Sequence, residues 1–165
     1  MDEATADTPR TVVPIDASPL IVQTFDRGQV TELRHVVASC AAASGIAGQR
    51  LDDFVLAVNE LITNAVRHGG GRGRLRMWRG NHGVVCEVSD NGSGICAEQL
   101  ASRERRPAPG TAGGWGLWLA GQLSDEMVLR TGPAGTTVRV SATLSRSTPV
   151  APNPGDPPGP TRRGR

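Results

Sequence analysis

A carboxylate and an amide stand four residues apart in the stretch from Asn59 to His68, which reads NELITNAVRH. Residues at this spacing are neighbours on one face of a helix, so Glu60 and Asn64 can point at one small object. An acid that accepts a proton, beside an amide oxygen that completes a metal shell, suits a bound nucleotide and its magnesium ion. Taken alone, the pair is more typical of a solvated helix surface.

Three glycine-containing motifs follow this stretch along the chain. They are DNGSG at Asp90–Gly94, GGWGL at Gly113–Leu117 and the pair Gly135-Thr136. Each has a plain structural interpretation, as a turn after a strand, a loop before a helix and the start of a strand. Independent turns and helices would rarely supply all of these segments at fitting separations, so their joint occurrence favours a binding site.

Composition excludes several classes of function. The chain has 165 residues, of which 38% are hydrophobic, and this predicts one domain with a real core. None of its 18 cationic residues is a lysine, so a P-loop ATPase with its GxxxxGK[ST] signature is excluded. The net charge is +2, the densest basic cluster is Arg72–Arg79, and the chain has no tyrosine and only two phenylalanines. A nucleic-acid partner needs a broader basic face with stacking aromatics, so we predict none.

The cysteines and the hydropathy pattern indicate a cytoplasmic protein without a membrane segment. Cys40, Cys86 and Cys96 form neither a CxxC pair nor a zinc-ligand spacing, so ordinary reduced thiols are expected. No apolar run approaches the roughly 18 residues of a spanning helix. The acidic, proline-containing amino terminus also differs from a secretion signal.

The coarse pattern predicts one α+β domain at residues 20–144 between disordered tails at 1–19 and 145–165, the second rich in Pro, Gly and Arg. Within it the order is strand, helix, helix, two strands, a mobile loop at 103–114, helix and two strands. This order fits a two-layer α/β sandwich with a mixed, mainly antiparallel sheet and its helices on one face. The predicted helices are 30–45, 48–66, 96–102 and 115–123, and the predicted strands are 20–25, 74–79, 84–89, 126–130 and 136–144.

These motifs resemble those of a known superfamily, the GHKL ATPases of gyrase, the Hsp90 chaperone, histidine kinases and MutL, which share the Bergerat nucleotide-binding fold. The resemblance covers roughly residues 20–144. Glu60–His68 is similar to the N box, Asp90–Gly94 to the first glycine box, Gly113–Leu117 to the second, and Gly135-Thr136 to the final Gly-Thr motif. Four motifs in the family's order make the resemblance specific.

The resemblance implies an ATP and Mg²⁺ site with assigned roles. Glu60 would be the general base and Asn64 the protein ligand to magnesium, with phosphate oxygens and water completing its shell. Asp90 would accept a hydrogen bond from the adenine amino group, helped by Thr136 through a water. The remaining residues expected to contact the nucleotide are Arg67, Gly92, Gly94, Gly113, Gly114, Trp115, Gly116 and Leu117.

Within the superfamily, the phrases ELITNAVRH and GLWL resemble the small bacterial anti-sigma factor serine kinases. That resemblance implies a regulator of transcription that sequesters a sigma factor and phosphorylates a serine on its antagonist, the anti-anti-sigma factor. Relatives often dimerise, so a homodimer is compatible with it. An alternative function is a nucleotide-gated partner-binding module without kinase turnover. A histidine-kinase fragment is disfavoured, because only His35 offers itself as an upstream phospho-acceptor.

Several neighbouring residues have open interpretations. Arg67 either approaches the phosphates or serves the negative end of its helix, and His68 is expected to be a structural group. Cys96 is expected to be a neutral thiol, and Trp118 to fill the core. Trp115 stands where relatives often carry a polar residue, and the preceding arginines Arg103, Arg105 and Arg106 form no recognisable phosphate grip.

Overall fold

The protein is described by a computed structural model that covers residues 18–102, 105–108 and 114–144. The strands are β1 (Ile21–Asp26), β2 (Arg72–Arg79), β3 (Gly83–Ser89), β4 (Glu126–Gly132) and β5 (Gly135–Thr143). The helices are α1 (Val30–Ala43), α2 (Gln49–His68), α3 (Ala97–Ser102) and α4 (Trp115–Leu123), with a 3-10 turn at Arg27–Gln29 before α1. Every predicted element is present, with ends that differ by one or two residues.

The helix α2 is the longest element, and it carries the predicted Glu60 and Asn64. It begins after Gly48, whose φ of 59° lies in the left-handed region that glycine favours, and it ends at Gly69. Its apolar stripe is buried against the sheet, whereas Glu60 and Asn64 lie at the edge of that stripe and are half-buried. At about 1.5 Å per residue its 20 residues span about 30 Å.

The five strands form one sheet in the order β1-β2-β3-β5-β4, and each of the four pairings is antiparallel. The predicted sheet was mixed, but the described residues contain no parallel pair. After β3, the segment with α3 and α4 leads to β4, which is the edge strand of the sheet. A tight turn then joins β4 to β5. The hairpin therefore places β5, running antiparallel, beside β3.

The two faces of the sheet differ in chemistry, because side chains alternate along each strand. Leu75 pairs with Val88, and Met77 pairs with Cys86, on the face that α1, α2 and α4 cover. Arg76 and Glu87 pair on the opposite face and remain partly exposed. This alternation confirms the predicted two-layer α+β sandwich with its helices on one face.

The core lies between the sheet and the helices. Leu33, Phe54, Ile62, Leu75 and Met77 are fully buried there. Burying a side chain of this size stabilises the fold by about 1.5–3 kcal/mol relative to exposing it.

All three cysteines are free, as expected. Burial, with a smaller contribution from the charge of Glu87, raises the pKa of the Cys86 thiol well above its usual range. That thiol is therefore a neutral part of the core.

The amino-terminal end of α2 is tied to the far edge of the sheet. Arg50 donates from Nε to the Thr143 carbonyl oxygen at 2.7 Å and from Nη2 to the Thr143 hydroxyl at 2.8 Å, and it also pairs with Asp125. The Asp125 carboxylate accepts the Thr143 N–H at 2.6 Å and its hydroxyl at 2.9 Å. We call Arg50, Asp125 and Thr143 the α2 clamp.

Some predictions fall on residues outside the described part of the chain. These residues are the amino-terminal tail up to residue 17, the whole carboxyl-terminal tail, Arg103 and Gly113. Within residues 18–102, 105–108 and 114–144, no helix is both long enough and apolar enough to cross a membrane.

Candidate functional site

A cavity of about 840 Å³ opens between the carboxyl-terminal half of α2, the ends of β3 and β5 and the start of α4. Its size suits a drug-sized or nucleotide-sized ligand. The structure brings ten of the predicted site residues to its wall: Glu60, Asn64, Arg67, Asp90, Gly94, Gly114, Trp115, Gly116, Leu117 and Thr136. Gly92 does not line the cavity, and Gly113 is outside the described residues.

Glu60 and Asn64 face the start of α4, where Gly116 leaves room for them. A Cβ atom on Gly116 would lie 2.9 Å from the Glu60 Oε2 and 3.1 Å from the Asn64 Nδ2. The two polar side chains therefore touch bare peptide. Among the described residues neither side chain makes a hydrogen bond, so their carboxylate and amide groups remain available to a ligand.

Asp90 is held by backbone hydrogen bonds through one carboxylate oxygen. Its Oδ1 accepts the Gly92 N–H at 2.9 Å and the Thr136 N–H at 3.2 Å, and its own N–H donates to the Thr136 carbonyl oxygen at 2.9 Å. Within the described residues no donor is bonded to the other oxygen. An oriented carboxylate with one free oxygen at a cavity wall can accept a hydrogen bond from a ligand amino group.

The turns that carry Asp90 depend on glycines at positions of close approach. Gly135 has a φ of 132°, and a Cβ there would lie 2.0 Å from the Asp90 carbonyl oxygen. Gly94 has a φ of 85°, and a Cβ there would lie 2.4 Å from the carbonyl oxygen of Gly132. No side chain fits at either place, so both glycines are required for the local geometry.

Thr131 does not line the cavity, but it holds residues that do, and sequence reasoning missed it. Its hydroxyl oxygen accepts the Ile95 N–H at 2.8 Å and lies 3.0 Å from the Thr136 hydroxyl oxygen. It thereby joins the end of the first glycine box to the Gly-Thr motif. A threonine in a strand carries no distinguishing pattern, and only the register that places Thr131 opposite Thr136 identifies it.

The cavity wall also contains residues that the motif positions do not single out. His68 is exposed and lines the cavity next to Arg67, whereas the sequence predicted a purely structural group. Thr63 lines it from the helix face shared with Glu60 and Arg67, because it lies three or four residues from each. Helical spacing could have identified Thr63. Ile95, Val88 and Val138 are among the apolar residues of the wall.

The start of α4 presents an aromatic pair to this region. The rings of Trp115 and Trp118 meet edge to face with centroids 5.8 Å apart, and the Arg106 guanidinium lies 5.8 Å from the Trp115 centroid. Trp118 is half-buried, which corrects the expectation that it fills the core. Ala120 is the fully buried residue of α4, since this short helix packs on α2 through one narrow side.

A second, shallower depression of about 620 Å³ follows the exposed face of α1 beside His35 and Cys40. None of the predicted site residues lines it. Cys96 is exposed next to Ile95 but does not line the cavity of about 840 Å³. The arrangement of acid, amide and glycine-rich turns thus occurs in the larger cavity.

A sequence family matches most of the chain. The family described as histidine kinase-like ATPase domain matches residues 24–142. The chain belongs to this family. The matched residues include part or all of each of the five strands and the helices that line the cavity, and membership implies a nucleotide-binding domain.

A solved structure shares this fold. The RsbU and RsbW domains of Rv1364c from Mycobacterium tuberculosis align with a TM-score of 0.56 and 23% identity over 77% of this chain. The chain spans 32% of that protein. A histidine kinase domain of the blue-light activated kinase EL346 from Erythrobacter litoralis aligns with a TM-score of 0.47 and 22% identity, covering 68% of this chain and 65% of that one. Among curated protein sequences, none matches this chain.

Proposed function

We propose that this histidine kinase-like ATPase domain binds ATP with Mg²⁺ in the cavity of about 840 Å³ and acts as a bacterial regulator like the anti-sigma factor serine kinases. The observation that carries this proposal is the convergence of Glu60, Asn64, Asp90 and Thr136 on one cavity beside the glycines of α4. Far apart in the sequence, these residues occupy positions that match the superfamily's motifs.

The adenine would lie at the Asp90 end of the cavity. The free carboxylate oxygen of Asp90 accepts a hydrogen bond from the adenine amino group, while the other oxygen is held by the Thr136 N–H at 3.2 Å. A guanine or hypoxanthine base carries a carbonyl at that position, which would leave the carboxylate unpaired. Discrimination of ATP from GTP follows from this arrangement.

The phosphates would lie at the other end, between α2 and α4. The first N–H groups of a helix are unpaired and carry partial positive charge, so the start of α4 at Trp115, Gly116 and Leu117 suits anions. The Asn64 oxygen would hold Mg²⁺, which supplies charge neutralisation at the phosphates when bound. Arg67 lines this wall and offers a cation in a chain that has no lysine.

In the reaction, Glu60 would take the proton from the attacking serine hydroxyl of an anti-anti-sigma partner. The bond from the γ-phosphorus to the bridging oxygen of ADP then breaks while the bond to the serine oxygen forms. The similarity of ELITNAVRH and GLWL to the anti-sigma factor kinases supports this substrate. A sigma factor would be the second partner, and we place both interactions in the cytoplasm.

A second candidate function is a nucleotide-gated binding module without turnover. It is favoured by the position of Gly116, whose backbone lies directly against the Glu60 carboxylate. Because the Glu60 carboxylate contacts α4 on this side and the cavity on the other, a nucleotide bound between α2 and α4 can couple to the position of α4. In this version ATP sets the conformation in which the partner binds, and phosphate is not transferred.

Isothermal titration of ATP with and without Mg²⁺ tests the site. Asp90→Asn is expected to remove the preference for ATP over GTP, and Asn64→Ala is expected to remove the gain in affinity that Mg²⁺ provides. Equal binding by wild type and both variants would exclude the site assignment.

Phosphoryl transfer needs a separate measurement. Labelled ATP is incubated with the protein and an anti-anti-sigma domain carrying the acceptor serine, beside the Glu60→Gln variant. Labelling by wild type and none by Glu60→Gln is the expected result. Confirmed ATP binding with no labelled antagonist would instead favour the binding module, for which Glu60→Gln should still form the complex. Sedimentation of the same samples reports whether the chain is a homodimer.

A further inference from the structure

We propose that Gly69 is a positioning residue that sets the base specificity of the cavity by fixing the place of the Asp90 carboxylate. Gly69 lies outside the motif residues assigned to the nucleotide, at the point where α2 ends. The inference rests on the proposed ATP site. It concerns how the chain holds its acidic residue toward the purine.

The backbone of Gly69 does not itself require glycine. Its φ of −96° and ψ of 22° are angles that residues with side chains adopt, unlike the positive φ values of Gly70 and Gly71. Its N–H donates to the Ala65 carbonyl oxygen at 2.9 Å, as in an ordinary last helical turn. The need for glycine must therefore come from what surrounds the residue.

The surroundings leave no space for a side chain. A Cβ atom on Gly69 would lie 2.3 Å from the Asp90 Cγ, 2.4 Å from the Asp90 Cβ and 2.6 Å from the Ala65 carbonyl oxygen. The added carbon is caught between the helix and the carboxylate-bearing side chain. A shift away from one clash increases the other, so the Asp90 side chain or the end of α2 has to move.

The Asp90 side chain cannot move without losing its orientation. Its Oδ1 accepts the N–H groups of Gly92 and Thr136, and both bonds depend on the side chain staying where it is. The Asp90 turn also lies close to the end of α2 at Gly92. A Cβ on Gly92 would lie 2.7 Å from the Gly69 Cα and 2.8 Å from the His68 carbonyl oxygen. Gly69 and Gly92 thus bring α2 and the Asp90 turn together as bare peptide.

The functional consequence is specific to the base. A carboxylate pushed off its two N–H donors no longer presents its free oxygen to the adenine amino group. The affinity for ATP should fall, whereas the affinity for ITP, whose base has no amino group at that position, should change little. Loss of a hydrogen bond to a charged group predicts that the ATP to ITP affinity ratio falls about tenfold or more.

The test compares Gly69→Ala with Gly132→Ala by calorimetric titration of Mg²⁺-ATP and Mg²⁺-ITP. Gly132 is the matched control, because a Cβ there would meet nothing within 4 Å and its φ is not in the left-handed region. Gly132→Ala should keep the wild-type ratio. If Gly69→Ala binds both nucleotides with that same ratio while thermal unfolding shows it to be folded, the inference is wrong.

A double variant distinguishes action through Asp90 from a general disturbance. Asp90→Asn alone should abolish the base preference, and Gly69→Ala combined with Asp90→Asn should lower the ratio no further. Additive losses would contradict the proposal. If Gly69→Ala does not fold, Gly92→Ala presses on the same contact from the other side and must lower the ratio, or the inference fails. Wild type that binds neither nucleotide would overturn the proposed function, and the inference with it.

Discussion

The two ends of α2 are held in opposite ways. At its amino-terminal end, Arg50 reaches Asp125 and Thr143 through directional, charge-assisted hydrogen bonds. At its carboxyl-terminal half, Glu60 and Asn64 touch Gly116, and Gly69 touches Asp90, at places where side chains are missing. One end is fastened by polar groups that bond to each other, and the other leaves its polar groups unbonded.

This difference shows how one helix can serve stability and binding together. Polar groups that satisfy one another, as in the α2 clamp, contribute to the free energy of unfolding but are not available to a ligand. Groups packed against glycine contribute less to stability, and they keep their hydrogen-bonding capacity for a ligand. Changes at the two ends should therefore separate into effects on unfolding and effects on nucleotide affinity.

The largest effect is expected in the core beneath α2, where the buried side chains of the helix pack. Phe54 is fully buried, and Phe54→Ala should lower the free energy of unfolding by about 3–5 kcal/mol through the lost burial and the cavity left behind. Urea denaturation measures the change. Leu56→Ala is the control on the same helix, because Leu56 is 41% exposed and should cost far less. Equal losses would contradict the described burial.

At the end with free polar groups, Gly116→Ala should reduce Mg²⁺-ATP affinity about tenfold, which is about 1.4 kcal/mol. The new methyl group meets the mobile ends of the Glu60 and Asn64 side chains, which can rotate away from the ligand at little cost in stability. The gain in helix propensity offsets part of that cost, so unfolding should shift by less than about 1 kcal/mol.

Gly121→Ala provides the control for that prediction within the same helix. A Cβ on Gly121 would meet only the flexible end of Met127 at 3.3 Å. Titration calorimetry should find wild-type affinity for Gly121→Ala. A fall of the same size in both variants would show that α4 responds as a whole and that the contact of Gly116 is not specific.

At the fastened end, Arg50→Met should lower the free energy of unfolding by about 1 kcal/mol. Hydrogen bonds to charged groups contribute about 1.5–3 kcal/mol, but the side chains of Arg50 and Asp125 are each 35% exposed and solvent screening reduces this. ATP affinity should not change. Gln49→Ala, which removes the exposed bond to Asp53 at 2.8 Å, should cost only a few tenths of a kcal/mol.

The smallest effect is a dependence of stability on acid pH. Burial alone would raise the pKa of Asp125, but the hydrogen bonds from Thr143 and Arg50 outweigh it and hold the pKa below its ordinary value of 3.8. The stabilisation is therefore complete above pH 3.8 and is lost as the pH falls through the lower pKa of the folded state. Thermal unfolding of Asp125→Asn should show a weaker dependence over this range, and an unchanged dependence would exclude this carboxylate as a cause.

Periodicity predicted the elements because each of them buries one face. In α2, Phe54, Val58, Leu61 and Ile62 recur at helical spacing, and the helix begins and ends at glycines visible in the sequence. Spacing also placed Glu60 and Asn64 together, since a helix alone brings residues four apart to one face. The fold class was predictable for the same reason, from the order of helices and strands.

Pairing and close approach were not predictable in this way. The insertion of β5 between β3 and β4, and the absence of a parallel pair in the described sheet, depend on how the chain returns after α4. Thr131 supports the site only because the β4–β5 register sets it opposite Thr136. The α2 clamp joins residues that are 75 and 93 positions apart along the chain.

The sequence by itself determined the local elements, the family and most of the residues on the cavity wall, because helical and strand periods and short motifs are properties of neighbouring positions. The tertiary structure alone decided which glycines matter and why. Gly69 and Gly132 are both glycines with ordinary backbone angles, yet Gly69 lies against Asp90 and Gly132 faces open space. Such a distinction arises from distances between segments remote in sequence, and no local pattern encodes it.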